Sequence, residues 1–212
     1  MSEEAQIIRE ALINFDYRPR RPTDIYVTDV VVCPRRAFFN LRFNANPMVS
    51  NPRAVAGKAM HMLIQQALKS RYPNAIFEVS CQYPLDDGYV LLGRADMIDG
   101  DTVYEFKYTS MYNQAKEMYF AQANCYACML DCRKFKVVII DRGKLDVLVL
   151  EGERSDNAFM SVVDQCNQII KCLKAKDEEL AELPSKSPWG WACDNCAYKL
   201  VCRMIDVRGG TQ

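Results

Sequence analysis

The residues whose types and spacing best fit chemistry are Asp96, Glu105 and Lys107, which lie on either side of the turn signal Asp99-Gly100. Side chains alternate along a strand, so Glu105 and Lys107 share one face of a predicted hairpin. The hairpin can close with residue 96 opposite residue 105, or opposite residue 103 and diagonal to 105. In both registers we expect Asp96 on the face of Glu105 and Lys107, at roughly 5 to 8 Å.

Two carboxylates this close repel each other, which raises the pKa of one of them. A divalent cation would relieve the repulsion, and carboxylate oxygens suit Mg²⁺ or Mn²⁺. Such a metal could activate a water and polarise a phosphate, while Lys107 orients the nucleophile or stabilises charge at phosphorus. The alternative is a solvated cluster on a strand face, and the spacing alone leaves both interpretations open.

Helices on both sides of the hairpin add further candidates. Gly57 and His61 lie one turn apart on a predicted helix, where the missing side chain at residue 57 would let the helix approach the sheet and the imidazole reach the same metal. Gln122 and Tyr126 are one turn apart on the helix after the hairpin. They could contact a phosphate or the attacking water, or they could form the polar edge of a packed face.

Cysteine is the compositional outlier, with 10 residues against a single histidine. Cys193, Cys196 and Cys202 cluster near the C-terminus, and Cys33 precedes Pro34-Arg35-Arg36. Four thiolates can hold a 4Fe–4S cluster or a zinc ion, here clamping a loop of about 160 residues. The alternative is a disulfide-prone tail with a buried Cys33. We interpret the other cysteines as core or incidental surface residues, since a continuous helix cannot wrap Cys125, Cys128 and Cys132 around one ion.

The elements that must position these residues follow from periodicity and turn signals. Helices are predicted over 4–15, 28–32, around Phe38 and Phe39, and over 55–72, 110–132 and 155–182. Strands are predicted over 76–85, 89–98 and 102–109 as an antiparallel meander, and over 134–141 and 144–150 as a second pair. This order predicts an α/β fold with a core over 1–183 and a cysteine-bearing segment over 184–212.

The composition excludes some classes of protein. The 212 residues carry 27 Lys and Arg against 27 Asp and Glu, which argues against a strongly basic nucleic-acid coat or a polybasic membrane binder. No apolar run approaches the roughly 20 residues of a membrane span, and the first residues are acidic, so we expect a cytoplasmic protein. Five arginines are candidates for gripping phosphates, or else form a solvated basic loop with helix-end charges: Arg18, Arg20, Arg21, Arg35 and Arg36.

Four short motifs occur in a fixed order: Gly57 to His61, Gly93 to Asp96, Glu105 to Lys107, and Gln122 to Tyr126. In this order and on these elements they resemble the RecB-like branch of the PD-(D/E)xK nucleases, over about residues 33 to 202. The resemblance implies a restriction-endonuclease-like core with a mixed central sheet flanked by helices. It also implies roles for the motif residues: a metal on His61, Asp96, Glu105 and the carbonyl of Phe106, Lys107 positioning or helping to deprotonate the water, and Gln122 and Tyr126 near the substrate.

The split of one early and three late cysteines narrows the resemblance to CRISPR-associated RecB-like exonucleases and AddB-type nuclease domains. Members of those families hold an iron–sulfur cluster on four cysteines, which in this chain would be Cys33, Cys193, Cys196 and Cys202. The small size of the chain favours the CRISPR-associated exonucleases. The resemblance implies 5′→3′ cleavage of single-stranded DNA, in trimming for CRISPR spacer acquisition with the integrase complex. The imidazole ligand favours Mn²⁺ over Mg²⁺. Two alternatives stay open: a stand-alone repair nuclease working with a helicase, and a non-catalytic DNA-binding or docking module with a structural cluster.

Overall fold

The computed structural model describes residues 2–13, 20–44, 52–110, 112–175, 183–194 and 196–209. The helices are α1 Glu3–Ile13, α2 Val27–Val32, α3 Pro34–Arg42, α4 Pro52–Leu68, α5 Tyr112–Met129, α6 Asp156–Lys174, α7 Gly190–Asp194 and α8 Lys199–Gly209. The strands are β1 Asp24–Tyr26, β2 Ile76–Pro84, β3 Val90–Asp99, β4 Thr102–Thr109, β5 Lys134–Asp141 and β6 Val147–Glu153.

The strands form one mixed six-stranded sheet, in the order β1-β3-β4-β5-β6 with β2 also paired to β3. The predicted meander is confirmed, because β2, β3 and β4 pair antiparallel in sequence order. Strands β4 and β5 are parallel, which requires a crossover, and α5 provides it. The predicted α/β class is therefore confirmed.

The core lies between the sheet and the helices α5 and α6. Every residue of α5 from Gln122 to Ala127 is buried, so this part of the helix is enclosed on all sides. Helix α6 buries one face, as its periodicity predicts, with Phe159, Val163 and Ile169 among the buried residues. The hydroxyl of Ser155 caps α6 by accepting from the N–H of Ala158 (3.3 Å). The helix ends at Lys174; the predicted continuation over 176–182 lies outside the described residues.

Two features were not predicted. Residues 24–26 form the short strand β1, and the cysteine-bearing tail forms α7 and α8. The tail folds back onto α3, where the ring of Tyr198 lies 5.2 Å from that of Phe39 and its hydroxyl donates to Asn40 (3.0 Å). The division into segments 1–183 and 184–212 stays a prediction. Within the described residues no helix is both long and apolar enough to cross a membrane.

Candidate active site and cysteine cavity

The candidate active site lies where two strands share one edge of β3. Residues 90–92 of β3 pair with both β1 and β2, so β1 and β2 occupy opposite edges. Residues 97 and 98 pair with both β2 and β4, so β4 lies on the same edge as β1. The segment Gly93–Asp96 falls between these two ladders. The sheet therefore forks at this motif, and the fork gives side chains access to the edge of β3.

Asp96 lies in the fork and contacts both β4 and α4. The ladder pairs Asp99 with Thr102, so the two-residue loop is Gly100-Asp101 and residue 96 follows opposite Glu105 in the same register. The backbone N–H of Phe106 donates to Asp96 Oδ2 (2.7 Å), where a strand carbonyl would otherwise accept. Nδ1 of His61 lies 3.1 Å from Asp96 Oδ1. The first of the two predicted registers is therefore the one observed.

Glu105 is 1% exposed and has one satisfied and one unsatisfied oxygen. Its Oε2 accepts from Lys107 Nζ (2.7 Å) and from Gln122 Nε2 (3.1 Å). Its Oε1 is buried and has no hydrogen-bond partner among the described residues. Burial, followed by the charge of Asp96, raises the pKa of Glu105 from 4.5 to about 7. A buried carboxylate oxygen without a partner is costly, and a bound cation would satisfy it.

The two nitrogen bases of the site keep their protons more strongly than usual. Burial lowers the pKa of Lys107, but the charges of Glu105 and Asp96 outweigh it and the net pKa is raised. Burial likewise lowers the pKa of His61, while its hydrogen bond to Asp96 raises it, with a net increase. Lys107 Nζ also lies 5.4 Å from the centre of the Tyr119 ring. Lys107 is therefore a fixed cation beside Glu105.

Gln122 links Glu105 to Tyr126, since its amide nitrogen lies 3.1 Å from each of their oxygens. Tyr126 is 2% exposed, and burial raises the pKa of its phenol well above the usual value. A Cβ atom at Gly93 would lie 2.3 Å from Tyr126 Cε1 and 3.0 Å from Cys81 Sγ. Residue 93 therefore cannot carry a side chain unless the ring of Tyr126 moves. That Gln122 and Tyr126 lie near the substrate stays a prediction.

The reason expected for Gly57 is wrong. A Cβ atom there would meet nothing within 4 Å, so the missing side chain does not allow a close approach to the sheet. Helix α4 reaches the site through the longer side chain of His61 instead, whose ring lies 6.5 Å from that of Phe106 in an edge-on arrangement.

A polar cluster beside the site was missed by sequence reasoning. Glu78 accepts from Gln65, one turn after His61 on α4, and pairs with Arg94 (Nε to Oε2, 2.7 Å). Glu78 is flanked by the pairs Phe77–Met97 and Val79–Ala95, so it lies across from Asp96. Its φ of +55° is left-handed, a strained conformation often found at functional sites. The available signal was Arg94, inside the Gly-x-x-Asp motif.

The four predicted ligand cysteines line one cavity of about 350 Å³. Cys33 is the N-cap of α3, and its sulfur accepts from the N–H of Arg36 (3.4 Å). Burial raises the pKa of Cys33 more than its N–H donors lower it. The C-terminal cysteines reach the same cavity from α7, from α8 and from the segment that joins them. All ten cysteines are free thiols, which is at odds with the disulfide alternative.

The remaining cysteines are in or next to the core. Cys81, Cys125, Cys132, Cys166 and Cys172 are buried, and Cys128 is half-buried. Burial raises the pKa of Cys166 to about 12 and that of Cys128 to about 11, so both stay protonated at neutral pH. The interpretation of these cysteines as packing residues agrees with their burial.

Among the described residues, no three His, Cys, Asp or Glu side chains lie close enough together to form a metal-binding group. The donor sets nevertheless fit the groups that the sequence predicts. The carboxylates offer one unpaired oxygen, which suits a hard divalent cation, and four thiols share one cavity, which suits an iron–sulfur cluster.

The arginines predicted to bind phosphates have internal partners. Asp29 pairs with Arg20 (2.7 Å) and Arg36 (3.6 Å), while Arg21 pairs with Asp24 and Arg35 with Asp206. These contacts hold the chain around β1 and α3 together, and phosphate binding by these arginines stays a prediction. Arg18 lies outside the described residues.

Comparisons with known proteins agree with the fold. No protein-family model matches the sequence. The chain is 23% identical over 189 residues to the CRISPR-associated exonuclease Cas4 of Saccharolobus solfataricus, covering 84% of this chain and 86% of that one. The crystal structure of SSO0001 superposes with a TM-score of 0.71 at 22% identity, over 95% of this chain and 96% of that chain.

A more distant structure extends the likeness of fold. The alkaline exonuclease LHK-Exo of Laribacter hongkongensis has a TM-score of 0.54 at 11% identity, over 76% of this chain and 92% of that chain. The fold is thus restriction-endonuclease-like, as predicted. In sequence the chain is similar to a Cas4 exonuclease, which confirms the predicted resemblance to the RecB-like exonucleases.

Proposed function

We propose that this protein is a divalent-metal-dependent DNA exonuclease whose centre is the Asp96–Glu105–Lys107 constellation. The observation that carries the proposal is the buried, unpartnered Oε1 of Glu105. An ordinary core would not keep a carboxylate oxygen in this state, because burial without a partner destabilises the folded protein. In a cation-binding site that oxygen would be a ligand of the cation.

The residues that would hold the cation are His61, Asp96, Glu105 and the backbone carbonyl of Phe106. Mn²⁺ or Mg²⁺ there would supply a Lewis acid for the phosphodiester and an activated water. The carboxylates favour either ion, and the imidazole favours Mn²⁺.

The chain's own residues hold this centre in place. The N–H of Phe106 fixes one oxygen of Asp96, and Lys107 and Gln122 fix one oxygen of Glu105, which leaves Oε1 free. Lys107, as a protonated amine, can orient the water and stabilise negative charge that develops on the phosphate. His61 must lose its shared proton before its nitrogen can act as a ligand.

The cofactor proposed for the second site is an iron–sulfur cluster, 4Fe–4S in type, on Cys33, Cys193, Cys196 and Cys202. Its support is the shared cavity together with the absence of disulfides among the ten cysteines. The cluster would join α3 to the C-terminal helices and restrain a long intervening loop.

The substrate and the biological setting are inferred from the relative's description as a CRISPR-associated exonuclease. We take the substrate to be single-stranded DNA, cleaved 5′→3′, and the process to be preparation of DNA for CRISPR spacer acquisition beside the integrase complex. The location proposed is the cytoplasm.

The test is degradation of end-labelled DNA by wild type, Lys107→Ala and Asp96→Ala with Mn²⁺ or Mg²⁺. Lys136→Gln is the matched control, because Lys136 lies on β5 opposite Tyr104 and pairs with the exposed Glu151. We expect both site variants to lose activity by at least about 100-fold and the control to keep it. Undiminished degradation by folded Lys107→Ala would overturn the catalytic assignment. Labels at the 5′ and 3′ ends, with blocked-end substrates, read the polarity.

A further inference from the structure

Arg35 connects the two parts of the chain that bring thiols to the cysteine cavity. Its backbone N–H donates to the carbonyl of Ser185 (3.1 Å), and its Nε donates to the carbonyl of Pro184 (2.9 Å). Arg35 is the second residue of α3, two residues after Cys33, whereas residues 184 and 185 lead into the C-terminal cysteine segment. One residue, through its backbone and its side chain, thus links the segment of the early cysteine to the segment that leads to the late ones.

The far end of the same guanidinium contacts a proposed ligand. Nη1 of Arg35 lies 3.6 Å from Cys202 Sγ and 3.0 Å from Asp206 Oδ1. Cys202 and Asp206 are one turn apart on α8, so the cation lies between the thiol and the carboxylate. The Arg35 side chain is only 13% exposed, and Asp206 also pairs with Lys186. The contact is therefore partly shielded from water and held from both ends.

This geometry has consequences for any metal centre bound to Cys202. The guanidinium keeps its charge at every accessible pH and presents its N–H groups in a rigid fork. Hydrogen bonds and positive charge at a cluster sulfur stabilise the more negative, reduced state and raise the reduction potential. Partners of ligands also orient them, and losing such a partner weakens metal binding by roughly 10- to 100-fold.

We infer that Arg35 is the positioning residue of the iron–sulfur site: it orients Cys202, ties the two ligand segments together and raises the reduction potential of the cluster. The inference rests on the proposed cluster. The sulfur of Cys33 has a different donor, the backbone N–H of Arg36, which a side-chain substitution does not remove. Arg35 is thus the contact that mutation can test.

The experiment compares wild type, Arg35→Gln and Arg35→Lys, all purified without oxygen. Arg133→Gln is the matched control, since Arg133 is an exposed arginine paired with Asp101 and does not line the cavity. The readouts are iron per chain, the rate at which visible absorbance is lost to a chelator, and the potential from a redox titration. We expect Arg35→Gln to lose its cluster about tenfold faster than wild type and to have a lower potential. Arg35→Lys should keep part of the potential, because the charge remains, but should lose the cluster faster.

Asp206→Asn should change the reduction potential in the opposite direction to Arg35→Gln. Removing this carboxylate leaves the guanidinium uncompensated beside Cys202, so the potential should rise above that of wild type. This variant decides the matter should Arg35→Gln fail to fold. The inference is overturned when folded Arg35→Gln matches wild type in both potential and cluster loss, or when Asp206→Asn lowers the potential.

Whether the protein binds the proposed cluster is tested separately on the wild-type protein. A brown protein with iron and sulfide supports the cluster. A colourless protein with one zinc refutes the cluster and the redox part of the inference, while zinc release by the chelator still tests whether Arg35 orients Cys202. Wild type without any metal refutes both.

Discussion

The ring of Tyr126 occupies the space that a Cβ atom at Gly93 would fill, since that atom would lie 2.3 Å from Tyr126 Cε1. The strand motif and the helix motif are therefore packed directly against each other. Tyr126 in turn contacts Gln122, and Gln122 contacts Glu105. The position of the Glu105 carboxylate thus depends on a glycine three residues before Asp96.

Gly93→Ala should destabilise the protein and displace Tyr126. A methyl group forced against a buried ring costs about 1–3 kcal/mol, so the free energy of unfolding in urea should fall by that amount. The matched variant is Gly57→Ala, where nothing lies within 4 Å of the new methyl group. In the helix interior it should leave stability unchanged or raise it by up to about 1 kcal/mol. Equal effects of the two substitutions would contradict the packing described for Gly93.

The pKa of Glu105 predicts a pH-dependent loss of stability in metal-free protein. The folded-state pKa is about 7 against an ordinary 4.5, so between these values the unfolded chain releases a proton that the folded protein keeps. Stability from this group is present in full below about pH 4.5 and is lost as the pH rises to 7, at about 1.4 kcal/mol for each pKa unit.

The measurement is urea unfolding of wild type and Glu105→Gln from pH 4.5 to 8 in a chelator of divalent cations. The variant should gain stability relative to wild type as the pH rises, by a few kcal/mol at most. Saturating Mn²⁺ should remove this difference by stabilising wild type alone. A difference that stays constant with pH would show that Glu105 titrates normally.

Arg94 should contribute to DNA binding rather than to the chemical step. Arg94 lies in the Gly93–Asp96 motif at the fork and pairs with Glu78, which lies across from Asp96. A phosphate of the bound DNA could replace Glu78 as the partner of the guanidinium. Arg94→Gln should weaken DNA binding and reduce the slope of log affinity against log salt by about 1. The comparison is Arg133→Gln, which removes an exposed arginine paired with Asp101 at the far end of the hairpin. An unchanged salt slope for Arg94→Gln would place the DNA elsewhere.

Metal content should depend on the cavity cysteines and not on the core ones. Cys33→Ser and Cys202→Ser should lose most of their iron, because three thiolates hold a four-ligand cluster poorly. Cys128→Ser, at a half-buried site on α5, should keep the wild-type amount. Iron and sulfide analysis of anaerobic samples provides the readout. Full iron content in Cys33→Ser would remove the early cysteine from the ligand set.

Local patterns predicted the site elements well. Alternation and the Asp99-Gly100 signal predicted the hairpin of β3 and β4, and the register adopted is one of the two considered. Helical spacing predicted that His61 could reach the metal held by the acids, and His61 contacts Asp96. Gln122 was expected at a phosphate, at the attacking water or on a polar helix edge, and its contact with Glu105 was not predicted. The cysteine spacing, with the family resemblance, predicted a set of four that shares one cavity.

The features that were missed depend on contacts between distant parts of the chain. Strand β1 has only three residues and pairs with β3, so no periodicity reveals it, and the fork that it creates was not predicted. Arg35 and Asp206 are 171 residues apart, and their pairing could not be inferred from a basic stretch near the N-terminus. The left-handed backbone of Glu78 has no residue-type signal, since glycine or asparagine would be expected there.

The most direct test of the central claim is anomalous diffraction at the manganese edge from crystals soaked in Mn²⁺. The account predicts one strong peak bonded to Glu105 Oε1 and to the Asp96 carboxylate, with the His61 nitrogen and the Phe106 carbonyl beside it. No peak at this position, with Glu105 Oε1 still unpartnered in well-ordered density, would contradict the proposed site.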